Sequence, residues 1–373
     1  MTDPASPITV RPTGEACDVE RRVYESEPAA IPTSTLLADL TTLRVGGPAR
    51  RVVVARTEEE LVASVRDADD RGEPVLILGQ GSNVLVADSG FDGLVVVVAT
   101  RGLVADVSAC AGAFVTVAAG EPWDDVVAHA VAQEWIGLET LSGIPGATGA
   151  TPIQNVGAYG SDVSATIARV RTWDRTQRAF RTFAAADCGF GYRTSRFKAE
   201  PDRYLVVDVS FQLELGPLSA PIRYTELAAA VGVVPGERAP LGTVRDAVIA
   251  LRRSKGMVLD AADHDTWSAG SFFTNPVLTP DAAAALPEDA PRYPQPDGTV
   301  KTSAAWLIER AGFTKGYGDG PATVSGKHTL ALTNRGSATA TDVLDLARTV
   351  RSGVRERFGV TLEPEPVLVG CAL

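Results

Sequence analysis

Histidine is scarce in this chain. There are three in 373 residues, His129, His264 and His328, and none sits at the spacing of a metal site, so no metal is expected. Cysteine is scarce too. Cys17, Cys110, Cys188 and Cys371 form no C-x-x-C pair, which argues against a zinc ribbon or a thioredoxin-like motif. Buried free thiols are the expectation for all four. No apolar run reaches the ~20 residues that a membrane-spanning helix needs, and the strongly apolar run 94–99 is short, as a buried strand would be. Basic residues are outnumbered, 35 Lys and Arg against 46 Asp and Glu, for a net charge of −11. That argues against nucleic acid or an anionic membrane as the main partner, while leaving room for a local basic pocket. Residues 1–28 are polar, rich in Pro and Glu, and have no apolar signal core, so they read as a loose tail of a cytoplasmic protein. The length suggests two or three domains.

Glycine is what the chain has. It recurs in four loops of the first 160 residues: Arg44-Val45-Gly46-Gly47-Pro48-Ala49, Gly79-Gln80-Gly81-Ser82-Asn83, Gly143-Ile144-Pro145-Gly146-Ala147-Thr148-Gly149 and Gln154-Asn155-Val156-Gly157-Ala158-Tyr159-Gly160. Lacking Cβ and tolerating positive φ, glycine lets peptide N–H groups turn toward an anion at close range. Four such loops suggest a large phosphorylated cofactor wrapped by the N-terminal half. The surrounding pattern reads as a strand at 51–55, a helix capped by Thr57 and Glu60 through 69, and strands at 74–78, 84–87 and 94–99. A dinucleotide-binding Rossmann turn needs a third glycine and a following helix. Here Val84 stands at the third position and a strand follows, so that site is disfavoured. Further on, a strand at 114–118, a helix at 123–133 and strands at 170–173 and 205–215 complete a second unit. A third begins near 255, with helices at 303–311 and 341–358 and strands at 329–333 and 362–369.

Three segments carry candidate chemistry. Gly191-Tyr192-Arg193-Thr194-Ser195-Arg196-Phe197-Lys198 could clamp a carboxylate or phosphate, but on spacing alone a solvated basic turn is the favoured reading. Ser271, in Ala269-Gly270-Ser271-Phe272-Phe273, could move a proton, yet it sits in no G-x-S-x-G elbow and has no histidine nearby; a serine completing a turn is the commoner case. Glu363 and Glu365 would share one face of a strand, where mutual repulsion could raise one pKa, and a pair of surface charges is the plainer alternative.

Taken in order, these segments resemble the UDP-N-acetylenolpyruvoylglucosamine reductase (MurB) family from about residue 41 to 370. The landmarks are Thr42-Leu43-Arg44-Val45-Gly46-Gly47, Gly79-x-Gly81-Ser82-Asn83, Ile144-Pro145-Gly146, Pro152-Ile153-Gln154-Asn155-x-Gly157-Ala158-Tyr159-Gly160, Phe190-Gly191-Tyr192-Arg193-x-Ser195-x-Phe197-Lys198, Ala269-Gly270-Ser271-Phe272-Phe273-x-Asn275-Pro276 and Leu362-Glu363-Pro364-Glu365. The resemblance implies an α+β, three-domain flavoprotein with a vanillyl-alcohol-oxidase-like (PCMH-type) FAD-binding region and a C-terminal substrate domain. The expected units are a tail at 1–32, FAD-binding parts at 33–101 plus 359–373 and at 102–254, and a substrate-binding part at 255–358. It also implies that the final strand returns to the first unit.

The implied reaction is NADPH-dependent reduction of UDP-N-acetylglucosamine enolpyruvate to UDP-N-acetylmuramate, in peptidoglycan precursor synthesis. Hydride would pass from NADPH to non-covalent FAD and then from flavin N5 to the enolpyruvyl methylene carbon. Arg193 and Glu365 would stabilise the charge at the carboxylate, and Ser271 would protonate the adjacent carbon. FAD would be held by Gly46, by Gly79, Gln80, Gly81, Ser82 and Asn83, by Ile144, Pro145, Gly146, Thr148 and Gly149, and by Gln154, Asn155 and Gly157. Tyr159, Tyr192, Tyr224, Lys255 and Asn275 would bind substrate, with Tyr224 marking the subclass that carries an extra loop. Gln80 occupies a place from which its side chain can point away. A monomer is the expected state. Two competing readings are a flavin-dependent alcohol or sugar oxidase of the same fold and a non-catalytic UDP-sugar binding module. The loops at 79–83 and 143–160 contain no histidine or cysteine for a covalent flavin link.

Overall fold

The computed structural model describes residues 18–24, 26, 31–32 and 34–373. Its first unit is a three-stranded parallel sheet in the order Ala49–Ala55, Phe91–Val98, Val75–Leu78. The second half of the central strand, Leu94–Val98, is a continuous apolar run because both neighbouring strands bury it. The helix Glu58–Asp70 crosses between the outer strands and buries Leu61, Val62, Val65 and Ala68. Its expected cap is present: Glu60 N donates to Thr57 Oγ1 at 3.2 Å, and Thr57 N donates to the Glu60 carboxylate at 3.3 Å.

The strand Val84–Val86 leaves that sheet and pairs in parallel with Val367–Val369, which returns the distal end of the fold to the first unit. The strand expected over 362–369 is cut to Val367–Val369 because Pro364 and Pro366 have no N–H to give a ladder.

The second unit is an antiparallel sheet in the order Glu20–Tyr24, Leu103–Ser108, Gly112–Ala118, Tyr204–Leu215, Ile167–Asp174, Ala179–Ala184. The helix Trp123–Ala132 covers it, and Trp123, Trp135 and Phe211 fill the space between. Glu20–Tyr24 corrects the expectation of a tail loose over its whole length. These residues pair antiparallel with Leu103–Val107, the Tyr24 ring centre lies 4.2 Å from that of His129, and Arg22 donates to Gln133. The free-thiol expectation also fails at one position. Cys110 lies at the exposed tip of the hairpin rather than in the core, and it is disulfide-bonded. Cys188 and Cys371 are free, and Cys17 lies outside the described residues.

In the third unit the helices Ala304–Arg310 and Ala340–Phe358 pack around Phe272, Phe273, Leu307, Val343, Val350 and Leu362. Leu43, Val45 and Leu85 of the first unit join the same core. The strand expected at 329–333 is displaced to Leu332–Asn334 because 328–331 is taken by a turn closed by Ala331 N on His328 O at 3.1 Å. The fold is α+β, and among the described residues no helix is long and apolar enough to cross a membrane.

Candidate active site

Arg193 stands on a tight turn in which Gly191 and Thr194 exchange backbone hydrogen bonds of 3.1 and 3.3 Å. Its φ of 52° is left-handed, a conformation that costs an ordinary residue about 1–3 kcal/mol and persists only where neighbours enforce it. Ser195 is one enforcer: it caps the short helix Arg196–Ala199 and donates to Ile153 O at 2.8 Å. The guanidinium is fixed in turn. Nε donates to Glu365 Oε1 at 2.8 Å, Nη2 to Gly157 O at 2.9 Å and Nη1 to Asn155 O at 3.4 Å. Gly157 must be glycine, since a Cβ there would come within 2.8 Å of Ser161 O and 3.3 Å of the guanidinium.

Glu365 is placed by its backbone. Its N–H donates to Phe272 O at 2.9 Å, and its carbonyl accepts from Gln154 Nε2 at 3.1 Å and Asn83 Nδ2 at 3.4 Å. Burial pushes its carboxyl up, and Arg193 opposes that. The expected repulsion between two neighbouring carboxylates does not occur. No strand forms at 363–365, and Glu363 turns outward toward Arg351 at 3.5 Å. Ser271 lines the same cavity, of ≈ 450 Å³, as Arg193 and Glu365. It is held by its successors, because Phe272 and Phe273 are each 1 % exposed and Phe272 N donates to Leu330 O at 2.7 Å.

The five expected substrate residues line this cavity too. Tyr192 Oη accepts from Asn275 N at 3.3 Å, and Asn275 Oδ1 accepts from Ala304 N at 2.9 Å. Tyr159 and Tyr224 meet edge to face with ring centres 5.5 Å apart. Burial pushes the Tyr159 phenol up to about 12, so it stays a neutral donor. Lys255 Nζ donates to Glu226 Oε2 at 2.6 Å and lies 5.7 Å from the Tyr159 ring centre. Two ionisable lining residues were not among the expected site residues. Arg252, in the last turn of the helix Leu241–Ser254, is three positions before Lys255, which caps that helix, a spacing that could have drawn attention. Burial pushes it down to about 10, and its Nε has no partner among the described residues. His328 gave no sequence signal; burial, with Lys255 and Lys315 nearby, pushes it down to about 4.

The glycine loops adjoin this cavity. The loop at 79–83 joins Val75–Leu78 to Val84–Val86, and the N–H groups of Gln80, Gly81 and Ser82 donate to nothing among the described residues. Gly81 has φ 62°, and a Cβ there would meet Leu40 O at 2.1 Å. Gly146 faces the loop so closely that a Cβ would lie 2.8 Å from Ser82 Oγ. The Gln80 side chain does not point away: its Oε1 accepts from Gly146 N at 3.3 Å and ties the two loops together. A second cavity of ≈ 730 Å³, lined by Gly79, Gln80, Arg44 and Arg101, shares Thr42 and Leu259 with the first. Three unpartnered amides between two joined cavities suit a long ligand with an anionic middle, which is the shape and charge of FAD.

The remaining expected cofactor residues divide. Ser82, Asn83, Ile144, Pro145, Gly146, Gln154 and Gly157 line the first cavity. Gly46, Gly81, Thr148, Gly149 and Asn155 line neither. Thr148 N and Oγ1 both donate to Glu121 O, Gly149 N donates to Ala119 O, and Asn155 Nδ2 donates to Gly191 O. Gly46 packs where a Cβ would touch Val86 at 3.0 Å.

A family model of the FAD binding domain matches residues 49–182, and one of the UDP-N-acetylenolpyruvoylglucosamine reductase C-terminal domain matches 262–369. The chain is 63% identical over 340 residues to the UDP-N-acetylenolpyruvoylglucosamine reductase of Cutibacterium acnes, covering 90% of each. It is 56% identical over 348 residues to the enzyme of that name from Streptomyces coelicolor, again covering 90% of each. With that of Mycobacterium marinum it shares 53% over 360 residues, 92% of this chain and 97% of the relative. The crystal structure of the Thermus caldophilus reductase (MurB) aligns with a TM-score of 0.60 at 26% identity, over 95% of this chain and all of that one. This chain therefore belongs to the UDP-N-acetylenolpyruvoylglucosamine reductase family, enzymes built on an FAD-binding domain.

Proposed function

We propose that the protein reduces UDP-N-acetylglucosamine enolpyruvate to UDP-N-acetylmuramate, with FAD as bound cofactor and NADPH as hydride donor. The observation that carries this reading is the Arg193–Glu365 pair sharing one cavity with Ser271, beside a loop of unpartnered amides. FAD would be held by the amides of Gln80, Gly81 and Ser82 and by Gly79, Asn83, Ile144, Pro145, Gly146, Gln154 and Gly157. Gly46, Thr148, Gly149 and Asn155 would act on it only by shaping the loops. When bound, FAD supplies a two-electron carrier that accepts hydride from NADPH and delivers it to the enol ether.

The chain's own residues handle charge and protons. Reduction at the methylene carbon leaves the adjacent carbon and its carboxylate sharing negative charge. Arg193, already oriented by Glu365 and two carbonyls, meets that charge without reorganising, which favours the transition state over the ground state. Ser271 Oγ gives its proton to the carbon. A hydroxyl is a weak acid, but the acceptor is a strong base, so placement matters more than a matched pKa. Tyr159, Tyr192, Tyr224, Lys255 and Asn275 would hold the sugar nucleotide, Lys255 exchanging Glu226 for the diphosphate. Tyr224, on the segment leading into the helix Thr225–Val231, would mark the protein as one of the subclass with an extra loop. The parts 33–101 with 359–373 and 102–254 would serve the cofactor, and 255–358 the substrate. Action as a cytoplasmic monomer is part of the same reading.

An anaerobic half-reaction tests it. NADPH should bleach a flavin spectrum in the purified protein, and the enol ether should restore it without oxygen. Restoration only by air would favour the oxidase, and no flavin spectrum would favour the binding module.

A further inference from the structure

Lys198 is half-buried and does not line the substrate cavity, so it is not placed to touch substrate. Its ammonium is nevertheless engaged. Nζ donates to Arg193 O at 3.0 Å and to Gln154 Oε1 at 2.9 Å. Gln154 passes the contact on, its Nε2 donating to Glu365 O at 3.1 Å. One ammonium thus holds the carbonyl of the left-handed Arg193 and, through one amide, the main chain of Glu365. Its own placement is set by Ser195, whose Oγ accepts from Lys198 N at 3.2 Å while donating to Ile153 O. A lysine serving only solubility would extend to water; this one gives two of its three donors to the backs of the paired residues.

We propose that Lys198 is a positioning residue for the Arg193–Glu365 pair, fixing the Arg193 backbone directly and the Glu365 backbone through Gln154. The assignment rests on the reductase reading above. It explains why a partly buried cation lies behind an arginine, an unfavourable neighbour by charge alone. The two hydrogen bonds and the attraction of Glu365 offset the repulsion. The charges facing the Glu365 carboxyl are Arg193 and Lys198, with the Tyr192 phenol close by. Removing the ammonium therefore takes away one of two groups that favour the ionised carboxylate, and Glu365 should titrate at higher pH.

The test is Lys198→Met beside Lys198→Arg in the FAD-loaded enzyme, with the two half-reactions followed separately by stopped flow. In Lys198→Met, flavin reduction by NADPH should be nearly unchanged. Reoxidation by the enol ether should slow on the order of 100-fold, the scale of a misplaced catalytic group. The limb of its pH profile that depends on Glu365 should move to higher pH. Lys198→Arg, which keeps charge and donors, should recover much of the rate and return the profile toward wild type. Unchanged reoxidation in Lys198→Met overturns the proposal. So does an equal loss in both half-reactions with an unshifted profile, the mark of a merely structural lysine. Should Lys198→Met fail to fold, wild-type-like reoxidation and pH profile in Gln154→Leu, which cuts the second link, overturns it as well. If the wild-type flavin is not reoxidised by the enol ether at all, the reductase reading itself falls.

Discussion

The loop at 79–83 and the Arg193–Glu365–Ser271 cluster solve different problems with different materials. The loop is backbone: contiguous residues that turn three amides outward, with glycine where a Cβ would strike Leu40 O. The cluster is side chain: residues from three distant stretches, Arg193 held by Ser195 and Lys198 of its own stretch, Ser271 by its successors Phe272 and Phe273, and Glu365 by Phe272 and Gln154 from elsewhere in the chain. A backbone site is local, so its failure should be steric and confined to cofactor binding. A side-chain site is distributed, so its failure should be kinetic and felt in one step.

The largest expected effect sharpens the second half of that contrast. Ser271→Ala should leave flavin reduction by NADPH nearly intact and slow reoxidation by the enol ether by about 10²–10⁴, the range for a lost proton donor. Single-turnover kinetics read both steps, and an equal fall in the two would make Ser271 structural. For the loop, Gly81→Val should abolish flavin retention, because the added side chain needs both positive φ and the space of Leu40 O. Flavin absorbance of the desalted protein reports it; a fully loaded variant would break the comparison.

Packing behind the cluster should come next. Phe273→Ala removes a ring that is 1 % exposed and should destabilise the fold by about 3–5 kcal/mol in a denaturant titration. His328 carries a pH effect. Its folded-state pKa, about 4, is below the ordinary 6.5, so the unfolded state binds the extra proton first. Stability should begin to fall as pH drops through about 6.5, with the His328 share fully lost below about 4. Denaturant midpoints of His328→Gln against wild type at pH 7 and pH 4.5 should converge or cross in the variant's favour at the lower pH. The smallest effect lies far from both sites: Thr57→Ala should cost about 1 kcal/mol through the lost cap, without altering either half-reaction.

The contrast also explains what could be read in advance. The capped helix Glu58–Asp70 and the strand–loop–strand around Gly79 were legible because their signals are local: a Thr three residues before a Glu, valine runs, paired glycines. Gly46, Thr148, Gly149 and Asn155 look like loop residues for the same reason. Whether such a residue faces ligand or its own scaffold depends on partners such as Glu121 and Gly191, which no spacing reveals. Glu363 and Glu365 failed as a strand pair because two prolines forbid the ladder, a local signal outweighed by the alternation around it. Arg193, Ser271 and Glu365 were individually unremarkable and became readable only through the order of motifs along the chain. His328 and the edge strand Glu20–Tyr24 owe their places wholly to distant neighbours.

The pairing of Val84–Val86 with Val367–Val369 bears on how the enzyme comes to life. Closing so long a loop is entropically costly and is deferred until shorter-range structure can reward it. The parallel sheet and its crossover helix need no such closure. Glu365, two residues before that late strand, is therefore delivered to its arginine near the close of folding. During refolding a flavin-competent loop should exist before the chemistry does, and competence to reduce substrate should rise with a lag behind cofactor uptake.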